Sequence, residues 1–92
     1  MHIGLMQSYW LTFESVPQPT ALNIGAGVTA RSDSDARRIA NAAFAGGTIA
    51  TVVVVEDAAS LDERHVIPNM GNILIRGVWF PLGYEGVAAK VP

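Results

Sequence analysis

Leu22-Asn23-Ile24-Gly25-Ala26-Gly27-Val28-Thr29-Ala30, continued by Arg31-Ser32-Asp33-Ser34-Asp35-Ala36-Arg37-Arg38-Ile39-Ala40-Asn41-Ala42-Ala43-Phe44, decides the fold class, because the apolar spacing changes inside it. Up to Ala30 the apolar residues alternate with Asn23, Gly25, Gly27 and Thr29, the period of two that a strand with one buried face requires. Beyond Ser32 the period becomes helical. Ala36, Ile39, Ala40, Ala43 and Phe44 fall on one face, and Arg37, Arg38 and Asn41 fall on the other. Ser32 can accept from the exposed amides of the first turn, and Asp33 and Asp35 sit where the macrodipole favours negative charge, so the helix begins at about Asp33. Gly46-Gly47 is the expected stop. The alanine-rich face lets the helix backbone lie close to a sheet.

Toward the N-terminus, residues 8–15 place Tyr9, Leu11 and Phe13 on one side and Trp10 and Thr12 on the other. This strand is expected to pair with the next as an antiparallel hairpin across Val16-Pro17-Gln18-Pro19-Thr20, where two prolines remove two donors. Toward the C-terminus, residues 49–55 are β-branched and apolar on both faces, which predicts a central strand. Ser60-Leu61-Asp62-Glu63 has capping-box spacing, so a short helical turn is expected over 61–66, stopped before Pro68. Asn69-Met70-Gly71-Asn72 reads as a turn and 73–80 as a last strand, ended by Pro81.

The order is therefore β-β-α-β-short α-β: an α+β domain with a three- or four-stranded sheet and one long helix packed on one face. Residues 1–92 are read as a single domain, with about 1–7 and 82–92 as flexible or tail segments. One helix covers one face only. The other carries a share of Trp10, Val52, Val54 and Trp79, and the expected cover is a second copy of the chain, making a homodimer.

Composition narrows the function classes. With 92 residues, half of them apolar, and a formal net charge of −2, the chain can fold alone and is not expected to be disordered. Six Lys and Arg and a pI near 5.5 provide no clustered basic charge, so nucleic acid is not an expected partner. The absence of Cys excludes disulfides, thiolate metal sites and a cysteine nucleophile. Met1-His2-Ile3-Gly4-Leu5-Met6 has no basic stretch before an apolar core, and no wholly apolar run exceeds four residues, so neither a signal peptide nor a membrane span is expected.

Three groups of residues invite a chemical reading. Gly25-x-Gly27-x-x-Ala30 is similar to a dinucleotide-binding fingerprint, but the helix cap lies at Ser32, well past the second glycine, and the acidic pair Glu56-Asp57 begins about 26 residues after Ala30 instead of about 20 after the motif. The glycines are better read as a bulge or as close packing under Trp10, and no cofactor is expected. His65 is a candidate general base, oriented by Asp62 or Glu63. No nucleophile lies beside it, since Ser60 is better used as a cap. His2 is the only other histidine, so no metal site is expected. The alternative role for His65 is structural, with its ring bonded to backbone carbonyls around 68–71. Finally, Tyr9-Trp10 and Trp79-Phe80 near Arg76 fit core packing or an aromatic-centred interface. Candidate binding residues are accordingly His65, Asn69, Arg76 and Trp79, and the catalytic candidates are Asp62, His65 and Arg76.

Gly27-Val28-Thr29-Ala30 with Ser32-x-x-Asp35-Ala36, then His65-Val66-x-Pro68-Asn69-Met70-Gly71, then Arg76-Gly77-x-Trp79-Phe80-Pro81, resembles a group of small, uncharacterised bacterial proteins over about two-thirds of the chain. The resemblance implies a bacterial, cytoplasmic origin and no particular chemistry. An aromatic residue is expected there just before the Arg-Gly pair, where this chain has Ile75. The leading functional expectation is a non-enzymatic binding or regulatory protein acting through protein contacts. The alternative is a small enzyme or ligand-binding protein with a site around His65.

Overall fold

The computed structural model describes residues 6–15, 25–44, 48–57, 61, 66–84 and 86–91. Four strands form one antiparallel sheet: β1 (Gln7–Ser15), β2 (Ala26–Ala30), β3 (Thr48–Val55) and β4 (Gly77–Phe80), in the order β3-β1-β2-β4. One helix, α1 (Asp33–Ala43), follows β2. The α+β class and a helix packed on the sheet are as expected, and among the described residues the sheet has four strands.

The hairpin pairs as the alternation requires, with Tyr9 opposite Val28 and Trp10 opposite Gly27. In α1, the Ser32 hydroxyl accepts from the Asp35 N–H at 3.1 Å. Asp35 in turn accepts from the Arg31 N–H at 3.0 Å, a capping-box exchange displaced by one residue. The helix ends at Ala43; Gly46-Gly47, the expected stop, lies outside the described residues, as does the loop at 16–20.

Two expectations are corrected. First, the apolar run at 49–55 is not central: β3 is an edge strand, and β1 is the strand paired on both sides. β1 is long enough at nine residues, and bulky enough on both faces, to serve two neighbours. Secondly, the last strand begins at Gly77, not at residue 73. Asn72 competes for the intervening backbone: its side-chain oxygen accepts from the Leu74 N–H at 2.9 Å and its carbonyl from the Ile75 N–H at 3.4 Å, closing a turn where the strand was expected. The helical turn expected over 61–66 lies largely outside the described residues; a 3₁₀ turn spans Ile67–Asn69, with Pro68 inside it. Proline is tolerated there because the first turn of a helix has no use for its missing N–H. The capping box expected at 60–63 falls almost wholly outside the described residues.

The sheet is covered on both faces over β2 and β4. On one face α1 lays Ala36, Ile39, Ala40 and Phe44 against Tyr9, Leu11, Ala26, Val28 and Val78. The segment beyond residue 82, expected as a tail, joins this core: Ala88, in a 3₁₀ turn over Val87–Lys90, and Val91 are buried in it, and the Tyr84 ring stands 4.7 Å from that of Phe44. On the other face Trp79 and Phe80 pack with Val66, Met70, Ile73, Leu61 and Trp10. The chain itself therefore supplies the cover there that a second copy was expected to provide.

A bulge explains how two adjacent aromatics reach that face. Val28 is opposite Val78 but Gly27 is opposite Phe80, so Trp79 is an extra residue in β4. Gly27 makes room for it, since a Cβ there would collide with the six-membered ring of Trp79. Gly25, at φ 135°, lies likewise under the Trp10 indole. The two glycines of the fingerprint-like motif thus seat two tryptophans, whose rings lie 6.1 Å apart.

Candidate functional site

Among the described residues the sequence candidates Asn69, Arg76 and Trp79 do not form a common site. Asp62 and His65 lie outside the described residues. Asn69 is exposed at the end of the 3₁₀ turn, where its N–H donates to the Val66 carbonyl at 2.9 Å. Trp79 is 1% exposed, so its ring offers no surface to a partner.

Arg76 is engaged by its own chain. Its Nη2 donates to Asp35 Oδ1 at 2.6 Å and its Nε to Asp35 Oδ2 at 2.9 Å, a two-pronged pair. Its Nη1 donates to the carbonyls of Ala88 and Val91 at 2.9 and 3.0 Å. Arg38 adds a longer contact to Asp35 Oδ1 at 3.3 Å. Hydrogen bonding from Arg76 holds the Asp35 carboxyl well below the ordinary aspartate range, with help from the Arg31 N–H, and outweighs burial, which acts in the opposite direction. The same pairing raises the Arg76 pKa. This cluster ties the start of α1, the lead into β4 and the C-terminal turn together. Its donors and acceptors are directed at one another, as in a structural clamp.

Asp35 is the residue that sequence reasoning did not connect. Its local sequence explains it fully as an acid at the helix N-terminus, and its partner lies 41 positions away. The available signal was a pair: an acid at the third helical position and an arginine immediately before a glycine-started strand.

The other notable surface is the outer side of β3. Among the described residues this strand is hydrogen-bonded to β1 alone. Val53 is 57% and Val54 43% exposed, one on each face of the sheet. Beside them runs an open groove of about 510 Å³, floored by Trp10, Val53 and Leu61 and ended by Glu56 and Asp57. Lining of this kind can contact an apolar strand or side chain. It does not bring together an acid, a base and a nucleophile.

Among the described residues no group of three or more His, Asp or Glu side chains is placed to hold a metal, and no helix is long and apolar enough to cross a membrane. No family model, curated protein or solved structure matches the chain.

Proposed function

We propose that this chain is a small bacterial, cytoplasmic protein without catalysis of its own, a binding or regulatory protein that acts through protein contacts and assembles as a homodimer. The observation that carries the reading is the β3 edge, which among the described residues pairs with β1 alone, together with its exposed valines. A soluble chain seldom leaves an uncharged edge strand free, since the row of unpaired N–H and C=O groups invites another strand. The resemblance to small bacterial proteins supports the origin. The low net charge of −2 supports self-association, because it provides little repulsion between copies. Arg76, one of the candidate binding residues, is better assigned to holding the fold together, since it is occupied by Asp35 and two carbonyls.

Light scattering at micromolar concentration tests the reading. The expected mass is about twice the 9.8 kDa of one chain. A monomer across that range overturns the homodimer.

A further inference from the structure

We infer that the occupant of the β3 edge is the β3 of a second copy, paired antiparallel about a twofold axis at Val53, so that two four-stranded sheets become one of eight. This deepens the homodimer reading and rests on it.

Four features of the edge lead to this partner. The first is a mismatch between composition and position. Thr51-Val52-Val53-Val54-Val55 carries β-branched residues on both faces, the pattern of an interior strand, yet β3 lies at the edge. Pairing with a second β3 makes it interior. The second is regularity. Residues 51–55 pair without interruption to β1, from Thr51 opposite Thr12 to Val55 opposite Ser8, whereas Ala50 is an extra residue that breaks the register. An axis at Val53 centres the contact on the regular stretch. Val52 then faces Val54 of the other copy on one side of the sheet, and the two Val53 side chains meet on the other, all of them β-branched pairs.

The third feature is charge. The run has no charged residue, but Glu56 and Asp57 follow it directly. A parallel arrangement stacks four carboxylates together. The antiparallel one sends them to opposite ends, with Glu56 opposite Ala50 and its counterpart six residues away along the strands, about 20 Å at roughly 3.4 Å per residue. That exceeds the screening length of about 8–10 Å at ordinary salt. The residues of the run itself, one threonine and four valines, carry no charge that would select a foreign sequence over its own.

The fourth is closure. The other edge, β4, is masked by its own chain, with the Gly71 N–H donating to the Trp79 carbonyl at 2.6 Å and all four residues of the strand buried. Strand addition therefore stops at two copies and does not run on into a fibre. Among the described residues α1 lies mainly over β2 and β4, away from the β3 edge.

The chain has no cysteine, so single Thr51→Cys, Val53→Cys and Val55→Cys variants can be spin-labelled without background. Helical circular dichroism would first confirm that each folds. Dipolar measurements should show the strongest coupling for the label at 53, and weaker, mutually similar coupling at 51 and 55, where the two copies of the label sit about four residues, roughly 14 Å, apart along the strands. Val53→Lys should convert the twofold mass to the single-chain mass with the helical signal unchanged. A dimer with equal close coupling at all three positions, or with none at any, overturns the β3 pairing while leaving self-association standing. A monomer overturns both.

Discussion

β3 and β4 are the two edges of one sheet, and the chain treats them differently. β4 has four residues, contains a bulge, and is buried along its whole length under Met70, Ile73, Val66 and the helix-side core. Its approach is pinned where the Thr29 hydroxyl donates to the Ile73 carbonyl at 2.5 Å and where Arg76 reaches Asp35 and the C-terminal turn. β3 has eight residues, and its open side carries no such fastening among the described residues. Both strands are apolar, so hydrophobicity does not distinguish them. Side-chain and backbone hydrogen bonds from elsewhere in the chain do, by fixing cover over one edge only. Stability should therefore be concentrated in the half containing β2, β4 and α1, with β3 contributing least to it.

The largest effect should come from breaking the fastening itself. Asp35→Ala leaves the Arg76 guanidinium, with a side chain only 13% exposed, without its carboxylate. Removing one member of a buried pair typically costs about 3–5 kcal/mol, a large part of the roughly 5–15 kcal/mol total of a small domain. The urea midpoint should fall accordingly, and replacing Arg76 by Met in the same chain should recover part of the loss. The pH dependence has a definite sign. The Asp35 carboxyl titrates below its ordinary value of 3.8 in the folded chain, so its contribution is complete above that value and declines as pH falls through it toward the lower folded one. Acid should weaken the wild type progressively below about pH 4, and Asp35→Asn should remove that part of the slope. An Asp35→Ala midpoint equal to wild type would show that the clamp does not hold the β4 half.

A smaller loss is expected where the second face is packed. Gly27→Ala places a methyl group into the Trp79 ring, which is buried. Overpacking of this kind typically costs about 1–3 kcal/mol. The near-ultraviolet tryptophan signal should change together with the urea midpoint, because Trp10 and Trp79 are neighbours. A stable Gly27→Ala protein with unaltered tryptophan spectra would mean that the indole does not rest on the glycine.

The difference between the two edges was only partly legible in the sequence. The hairpin and α1 were, because alternation in 22–30 and the Ser32 cap act through near neighbours. The position of β3 was not, because a two-faced valine run implies an interior strand and nothing local records which strand it lies beside. The counter-signal was β1, where Tyr9, Trp10, Leu11 and Phe13 put large groups on both faces over nine residues. In β4, a period of two cannot represent Trp79 and Phe80 on the same face, since that needs the bulge. Of the proposed site, Arg76 stood out in the sequence as an isolated cation near aromatics, but its carboxylate and carbonyl partners come from distant parts of the chain. The Gly25 and Gly27 pair was legible as close packing, although it seats Trp79 as well as Trp10.

The smallest effect on the fold should come from the open edge. Val53 is more than half exposed, and it is opposite Trp10 in the β1 register without belonging to either buried cluster. Surface substitutions of this kind usually change stability by no more than about 0.5 kcal/mol, so Val53→Lys should unfold at nearly the wild-type urea concentration when both proteins are dilute. Self-association alters that comparison through mass action. Whatever binds only the folded chain stabilises it in proportion to the logarithm of its free concentration, and here the ligand is the chain itself. Once the wild type dimerises, each tenfold rise in protein concentration should add about 1.4 kcal/mol per mole of dimer to its unfolding free energy. The lysine variant gains nothing, because two buried ammonium groups would face each other across the axis. The two urea curves should coincide at the lowest concentration and separate as concentration rises. Curves displaced by the same amount at every concentration would instead make Val53 a contributor to the fold, and the contrast between the sealed and the open edge would fail.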